Sequence, residues 1–304
     1  MKKASKCYPL NQCALYKLRS KRLLEKRLCM KPGEVASVGK CSKYRVFPIP
    51  KNSGGVRSIE APNEKLKGWQ RRIWDLLARV EKPEWVISAC RGKCHLDNAK
   101  RHQQNSFVLT IDISGFYSAC EREYVYQFFY SKLCCSPDVA AILTDICTFE
   151  GGIPTGSPAS QIVAYYAYEE MFQSIEALAE SFGCTFSLYV DDMTFSSPAD
   201  FSWRKLCNEV RLVLRRYGHR IKESKTHYYP GRKNKVITGV NLTPDGRLTA
   251  PNRLRRHVLD DTHAFKNSSD TALALKIKGR IQAASYIEGR LLFRQIYAEI
   301  TEGE

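Results

Sequence analysis

The segment Tyr189-Val190-Asp191-Asp192 constrains this chain more than any other, because it sets two adjacent carboxylates between two β-favouring runs, Thr185 to Leu188 and Met193 to Ser196. That pattern predicts a hairpin whose tip projects acidic oxygens toward one point. Asp-Asp at a turn is, by itself, more often turn chemistry than catalysis. An earlier run adds weight. Phe107-Val108-Leu109-Thr110-Ile111-Asp112-Ile113 is apolar, β-branched and short, so it reads as a buried strand with a carboxylate near its end. A buried carboxylate needs a cation or hydrogen-bond donors, although a strand-terminal Asp also serves to cap a turn.

Brought onto adjacent strands, Asp112, Asp191 and Asp192 would make a site for two Mg²⁺ ions roughly 4 Å apart. One ion would lower the pKa of an attacking hydroxyl and the other would stabilise a leaving pyrophosphate, with Mn²⁺ a substitute of similar chemistry.

The charge balance points to a polyanionic partner. The formal net charge is +17 over 304 residues, and clustered excess basic charge is the footprint of phosphate binding. Residues 1–31 carry ten Lys or Arg against Glu25 alone, and residues 215–235 carry eight against Glu223 alone. Residues 11–30 read as a basic amphipathic helix, with Leu15, Leu18, Leu23, Leu24 and Leu28 among the cations. A nucleic-acid grip is preferred over a membrane-surface or targeting role for it. No run of eighteen apolar residues exists, so a membrane span is not expected. The twelve cysteines lack the paired Cys-x₂-Cys spacing of a zinc module, and only Cys90, Cys94, His95 and His102 crowd like ligands. Small, reduced, buried cysteines and a cytoplasmic location are expected.

Along the chain, a hairpin is predicted over 44–60, turning at Asn52-Ser53-Gly54-Gly55, then helices at about 63–81 and 95–104. Further helices are predicted near 121–134, 137–148, 202–217 and 251–300, with one long helix from Pro158 to about Phe182 and strands near 235–249. The fold class is α+β.

Four motifs in order carry a resemblance: Asp112-Ile113-Ser114-Gly115-Phe116-Tyr117, then Ile153-Pro154-Thr155-Gly156-Ser157-Pro158, then Tyr189 to Asp192, then Ser224-Lys225-Thr226. Together they resemble the palm of reverse transcriptases. Arg57 to Pro62 looks like the fingers of the prokaryotic group, and Lys278 to Ile287 like its thumb helix, so the resemblance spans about residues 44–290. Two further segments, Asn98-Ala99-Lys100-Arg101-His102 and Ile237-Thr238-Gly239, resemble elements of retron reverse transcriptases, the second with Ile where retrons carry Val. Read as plain sequence they are a polar helix turn and a strand end.

The resemblance implies a right-hand polymerase: a basic helix and fingers over 1–106, a palm over 107–245 with fingers helices at about 121–150, and a helical thumb over 246–304. Asp112, Asp191 and Asp192 would be catalytic, with the Ile113 carbonyl completing a metal sphere. Tyr117 would lie beneath the incoming sugar and reject a 2′-hydroxyl. Thr155, Gly156 and Ser157 would contact nucleotide and template, Thr155 standing where many relatives have Gln. Lys225 would face the pyrophosphate, and Arg57 and Lys51 would grip the triphosphate of a deoxynucleotide. Asn98, Ala99, His102, Ile237, Thr238, Gly239, Arg253, Arg255 and Arg256 would bind RNA. A retron enzyme would take a structured noncoding RNA, prime from a guanosine 2′-hydroxyl, and leave the branched RNA–DNA called msDNA. A host ribonuclease H would remove template, since no segment after the thumb is long enough for that domain. A neighbouring effector protein and a role against phage complete the expectation. Rival readings are an abortive-infection, diversity-generating or intron-encoded reverse transcriptase, an RNA-dependent RNA polymerase, and a catalytically silent RNA-binding scaffold. Tyr117 and the intact carboxylates count against the last two.

Overall fold

The computed structural model describes residues 7–41, 43–50, 54–268 and 270–302. The single helix expected over 11–30 is not formed: after a 3-10 turn at Leu10–Gln12 only α1 (Lys21–Leu28) is α-helical, capped by Ser20, which accepts the Leu23 N–H. Ahead of it the backbone bonds leave the segment. Lys17, at φ 53°, donates to the Leu133 carbonyl at 2.7 Å, and the Leu18 carbonyl accepts from Ser136 N–H at 3.1 Å. Leu15 and Leu18 are nevertheless buried, as are Leu24 and Leu28, whereas Leu23 is exposed. Tertiary anchoring has overridden the helical pattern.

After α2 (Val38–Cys41), strands β1 (Tyr44–Pro50) and β2 (Val56–Pro62) pair antiparallel as expected. Lys51, Asn52 and Ser53 lie outside the described residues, and Gly54 and Gly55 take φ of 84° and 79°. Helix α3 (Glu64–Leu77) starts at Asn63, whose side chain accepts the Leu66 N–H at 2.9 Å. Helix α4 (His95–Arg101) opens with a capping box between Cys94 and Asp97.

Strand β3 (Phe107–Asp112) leads to α5 (Phe116–Ala119), α6 (Arg122–Gln127) with a wider turn after it, and α7 (Pro137–Cys147). The long helix expected from Pro158 is two, α8 (Ser160–Ala167) and α9 (Glu169–Ser181). They part at Tyr168, where φ is −112° and the ring is wedged between Tyr124 and His219, each 4.6 Å away. Its hydroxyl accepts the Glu121 N–H at 2.8 Å. Strands β4 (Thr185–Tyr189) and β5 (Asp192–Ser197), helix α10 (Trp203–Arg216) and β6 (His227–Tyr229) follow.

The central sheet runs β4-β5-β3-β6, all antiparallel. Register puts Leu109, Ile111, Phe186, Leu188, Met193 and Phe195 on one face, and all six are buried in the main core. Burying each contributes about 1.5–3 kcal/mol. The other face carries Thr110, Asp112, Ser187, Tyr189, Asp192, Thr194 and Ser196. Two faces of opposite character fix the register, because a one-residue slip would exchange them.

A second sheet, β7 (Lys235–Ile237), β8 (Val240–Leu242) and β9 (Leu248–Thr249), begins with a two-residue turn at Thr238 and Gly239, whose φ of 44° and 78° suit a tight hairpin. Its apolar side packs with Leu96, Ala99, Ala284 and Ile287. Helices α11 (Asn252–Ser268), α12 (Thr271–Glu288) and α13 (Arg294–Glu302) close a separate small core around Val258, Ile277, Ile281 and Ile300. The main core runs from Cys13 to Ile221 with no break near residue 106.

Candidate active site

Pairing of β3 with β5 places Asp112 directly opposite Asp192, and the Ile113 N–H donates to the Asp191 carbonyl at 3.2 Å. The turn between β4 and β5 holds Val190 at φ 63°. A β-branched residue in the left-handed region costs on the order of 1–3 kcal/mol, a strain that concentrates at functional sites. It is held from outside: the Ser88 hydroxyl accepts the Val190 N–H at 2.8 Å, while Ile87 and Trp85 exchange backbone bonds with Leu188. Ser88 is a site residue that nothing in its sequence neighbourhood marks.

The third carboxylate has a cation. The Asp112 backbone carbonyl accepts the Lys222 N–H at 2.8 Å, and the short turn that follows brings Lys225 Nζ to 2.5 Å from Asp112 Oδ2. Asp112 is buried and Lys225 is not. Burial disfavours the ammonium charge, but the Asp112 bond and the neighbouring carboxylates outweigh it and push the Lys225 pKa up. Lys225 therefore neutralises Asp112 here. At Asp191 and Asp192 the opposing charge of Lys225, joined at Asp191 by Arg57, does not offset burial and carboxylate repulsion. Burial first, then the charge of Asp112, raises Asp191 to about 6. Burial, then Asp191 and Asp112, raises Asp192 to about 7.

Among the described residues no group of three or more His, Cys, Asp or Glu stands ready to hold a metal ion. The donor chemistry itself suits a hard divalent cation. These are carboxylate oxygens whose mutual repulsion a bound cation would relieve. The Cys90, Cys94, His95 and His102 crowding forms no metal site, and all twelve cysteines are free.

Tyr117, on α5, feels the same centre: burial, then the Asp191 charge, raises its pKa above the ordinary phenol value, while Arg57 on β2 acts in the opposite sense. Arg57 also opposes the rise at Asp191. Tyr117, Arg57, Asp112, Asp191, Asp192 and Lys225 thus share one electrostatic neighbourhood. Thr155 is bonded to β2, its hydroxyl 3.0 Å from the Ser58 carbonyl. Its N–H and hydroxyl both reach Glu60 Oε2, at 2.9 and 2.7 Å. Ser157 is buried and its hydroxyl accepts the Ala159 N–H at 3.2 Å.

A family model described as "Reverse transcriptase (RNA-dependent DNA polymerase)" matches residues 49–242. The chain belongs to the reverse transcriptase family. It is 26% identical over 265 residues to the retron Ec83 reverse transcriptase of Escherichia coli, covering 83% of this chain and 85% of that one. To the retron Se72 reverse transcriptase of Salmonella heidelberg it is 29% identical over 174 residues, 56% of this chain and 46% of that protein. These likenesses mark it as a retron-type reverse transcriptase. In fold it is similar to telomerase from Candida albicans, with a TM-score of 0.52 at 11% identity over 93% of this chain and 59% of that one. Apo telomerase from Candida tropicalis gives a TM-score of 0.53 at 12% identity, over 85% of this chain and 59% of that one. The fold is the α+β right hand of polymerases.

Most of the two retron-like elements is turned inward, away from the RNA surface expected of them. Asn98, Ala99, His102 and Ile237 are all fully buried. Asn98 Nδ2 donates to Thr238 Oγ1 at 3.2 Å, and Thr238 donates in turn to the His95 carbonyl at 3.2 Å. The His102 ring bonds Ser196 Oγ through Nδ1 at 2.6 Å and Ser187 Oγ through Nε2 at 2.7 Å. Burial, with Arg101 adding to it, lowers its pKa to about 3, so the ring is neutral. Both elements together form a strut from the second sheet to the hairpin that carries Asp191 and Asp192. Gly239 is exposed at its turn, and Thr238 is half-buried. Of the thumb arginines, Arg253 and Arg256 are exposed, whereas Arg255 is committed to the half-buried Glu288 and to the Ala250 carbonyl. Lys235, at the end of the basic stretch, is also buried, with Nζ on the Lys233 carbonyl at 3.2 Å.

No described helix is long and apolar enough to cross a membrane.

Proposed function

We propose that this chain is the RNA-directed DNA polymerase of a retron, copying a structured noncoding RNA into DNA from a guanosine 2′-hydroxyl to give msDNA. The observation that carries the reading is the pairing of Asp112 with Asp192 in register beside the strained Asp191 turn, with Tyr117 and Arg57 in the same field. The likeness to retron enzymes over most of the Ec83 chain supports the subgroup.

Asp112, Asp191, Asp192 and the Ile113 carbonyl are the groups that would hold two Mg²⁺ ions, or Mn²⁺ in their place. Bound there, such ions acidify the attacking hydroxyl and offset charge on the leaving pyrophosphate. Lys225 holds Asp112 neutralised until then and is afterwards free to move toward phosphate, a role suited to its exposed ammonium. Tyr117 closes the sugar position against a 2′-hydroxyl. Arg57, with Lys51, grips the triphosphate of an incoming deoxynucleotide, and Gly156 and Ser157 border it. The noncoding RNA lies along the exposed cations Arg215, Arg216, Arg220, Arg232, Lys233, Arg253 and Arg256 and the exposed Gly239 turn. In a bacterial cytoplasm, a host ribonuclease H would trim the template, and a neighbouring effector would act with the product against phage.

The test is to express the protein with its native flanking DNA and sequence the copurifying nucleic acid before and after ribonuclease and debranching treatment. A single-stranded DNA joined through a 2′ branch to RNA is expected. Unbranched DNA would keep the polymerase and discard the retron product, and RNA alone would overturn the polymerase reading.

A further inference from the structure

Strands β1 and β2 make a hairpin that is nearly bare. Arg45, Val46, Pro48, Ile49 and Pro50 are exposed on one strand, and Val56, Arg57 and Ser58 on the other. Core packing therefore does not fix where this hairpin stands over the carboxylates. Its base does. The Tyr44 ring lies tilted against Phe149 at 4.4 Å, and Gln70 donates to the Tyr44 hydroxyl at 2.9 Å. Farther along, Glu60 accepts both the N–H and the hydroxyl of Thr155 on one carboxylate oxygen, and the same hydroxyl lies 3.0 Å from the Ser58 carbonyl.

The next residue shows how close this approach is. A Cβ on Gly156 would come to 2.5 Å from the Glu60 carbonyl oxygen and 3.0 Å from Ala61 Cα, so a side chain there would part loop from strand. The loop's other end is fastened too. Ile153 N–H donates to the Tyr117 carbonyl at 3.1 Å, and Gly152 packs against the Ser118 carbonyl. One short loop thus ties the strand bearing Arg57 to the helix bearing Tyr117. Thr155 is thus matched to a carboxylate partner on β2.

We propose that Glu60 is a positioning residue, which through Thr155 holds the β1–β2 hairpin, and Arg57 with it, at the distance from the catalytic carboxylates that sets affinity for the incoming deoxynucleoside triphosphate. This rests on the polymerase reading. Glu60 touches no reacting atom; it acts through the loop and the strand. The latch is charge-assisted, because the two Thr155 donors converge on a carboxylate.

The experiment is steady-state incorporation of dTTP on poly(rA)–oligo(dT) with Mg²⁺, using the full chain. Glu60→Ala and Thr155→Val are each expected to raise KM for dTTP by about ten-fold, the effect of losing a charge-assisted hydrogen bond, with kcat within about three-fold of wild type. The double variant is expected to be no worse than Glu60→Ala alone, and Glu60→Gln, which retains an acceptor, to recover most of the loss. Thr155→Val is nearly isosteric and keeps the test open should Glu60→Ala unfold. An unchanged KM in a folded Thr155→Val protein, a fall in kcat alone, or additive single effects would overturn the proposal. A wild-type chain that incorporates nothing would instead overturn the polymerase reading beneath it.

Discussion

Replacing His102 separates a structural strut from an RNA-reading motif. The ring is fully buried and neutral, and it satisfies two hydroxyls, Ser187 Oγ on β4 and Ser196 Oγ on β5. Ser196 has a second partner, Asn105 Nδ2 at 2.7 Å, and no other bond is recorded for the Ser187 side chain among the described residues. His102→Leu therefore strands one buried hydroxyl outright, at about 1–3 kcal/mol, and weakens another. A total of about 2–4 kcal/mol would lower the thermal midpoint by roughly 4–8 °C for a chain of this size. The two strands affected end at Tyr189 and begin at Asp192, so DNA synthesis on poly(rA)–oligo(dT) is expected to fall along with stability. His102→Asn, whose amide nitrogen overlays Nδ1, keeps the Ser196 bond; His102→Gln reaches the Nε2 position and keeps the Ser187 bond. His102→Gln, which keeps the sole partner of Ser187 among the described residues, should recover more of the loss than His102→Asn. Thermal melts, synthesis on the homopolymer and retention of the copurifying RNA are the three readouts. A His102→Leu protein that melts and copies the homopolymer like wild type, yet loses its RNA, would refute the strut.

Asp191→Asn is expected to abolish Mg²⁺-dependent deoxynucleotide incorporation while leaving RNA retention nearly intact, as checked by filter binding at a stated salt concentration. Tyr117→Ala should admit ribonucleotides, and an unchanged ratio of dTTP to UTP incorporation would place the sugar gate elsewhere. The metal-free protein should lose stability as pH rises from about 4 to about 7. Asp191 and Asp192 bind protons more tightly folded, at about 6 and about 7, than unfolded, near the ordinary carboxylate value. Their ionisation therefore opposes folding by roughly 3 kcal/mol or more, complete above pH 7. Added Mg²⁺ should reverse it, and Asp192→Asn should flatten it; midpoints measured across that range check both.

The centre of the fold was legible because its signals are local. Phe107 to Asp112 and Met193 to Ser196 alternate or run apolar as strands must, and the acidic turn between Tyr189 and Asp192 is marked by its own residues. Asn98 to His102 was legible as a unit but not as to role, because a polar helix turn looks alike whether it faces RNA or a buried pair of serines. The N-terminal segment misled for a related reason: Leu15 and Leu18 keep a helical spacing while their backbone bonds go to residues 133–136. Pro158 announced a helix start, but nothing local announced the break at Tyr168, which is forced by Tyr124, His219 and the Glu121 N–H. Glu60 was visible as part of a motif; its bond to Thr155 depends on a fold that brings together residues 95 positions apart.

Pairing of β3 with β5, and capture of Asp112 by Lys225, also has a bearing on when the chain becomes an enzyme. The carboxylates come from strands far apart in sequence, and the lysine that quiets Asp112 lies 113 positions downstream of it. Contacts of such separation form late, since the intervening loop must close before they repay its entropy. A nascent chain that has left the ribosome only as far as β5 carries every catalytic carboxylate but leaves Asp112 without its ammonium partner. Until residue 225 is made, the buried carboxylates repel one another without that ammonium, so a chain cut short before it is expected to hold the site less firmly.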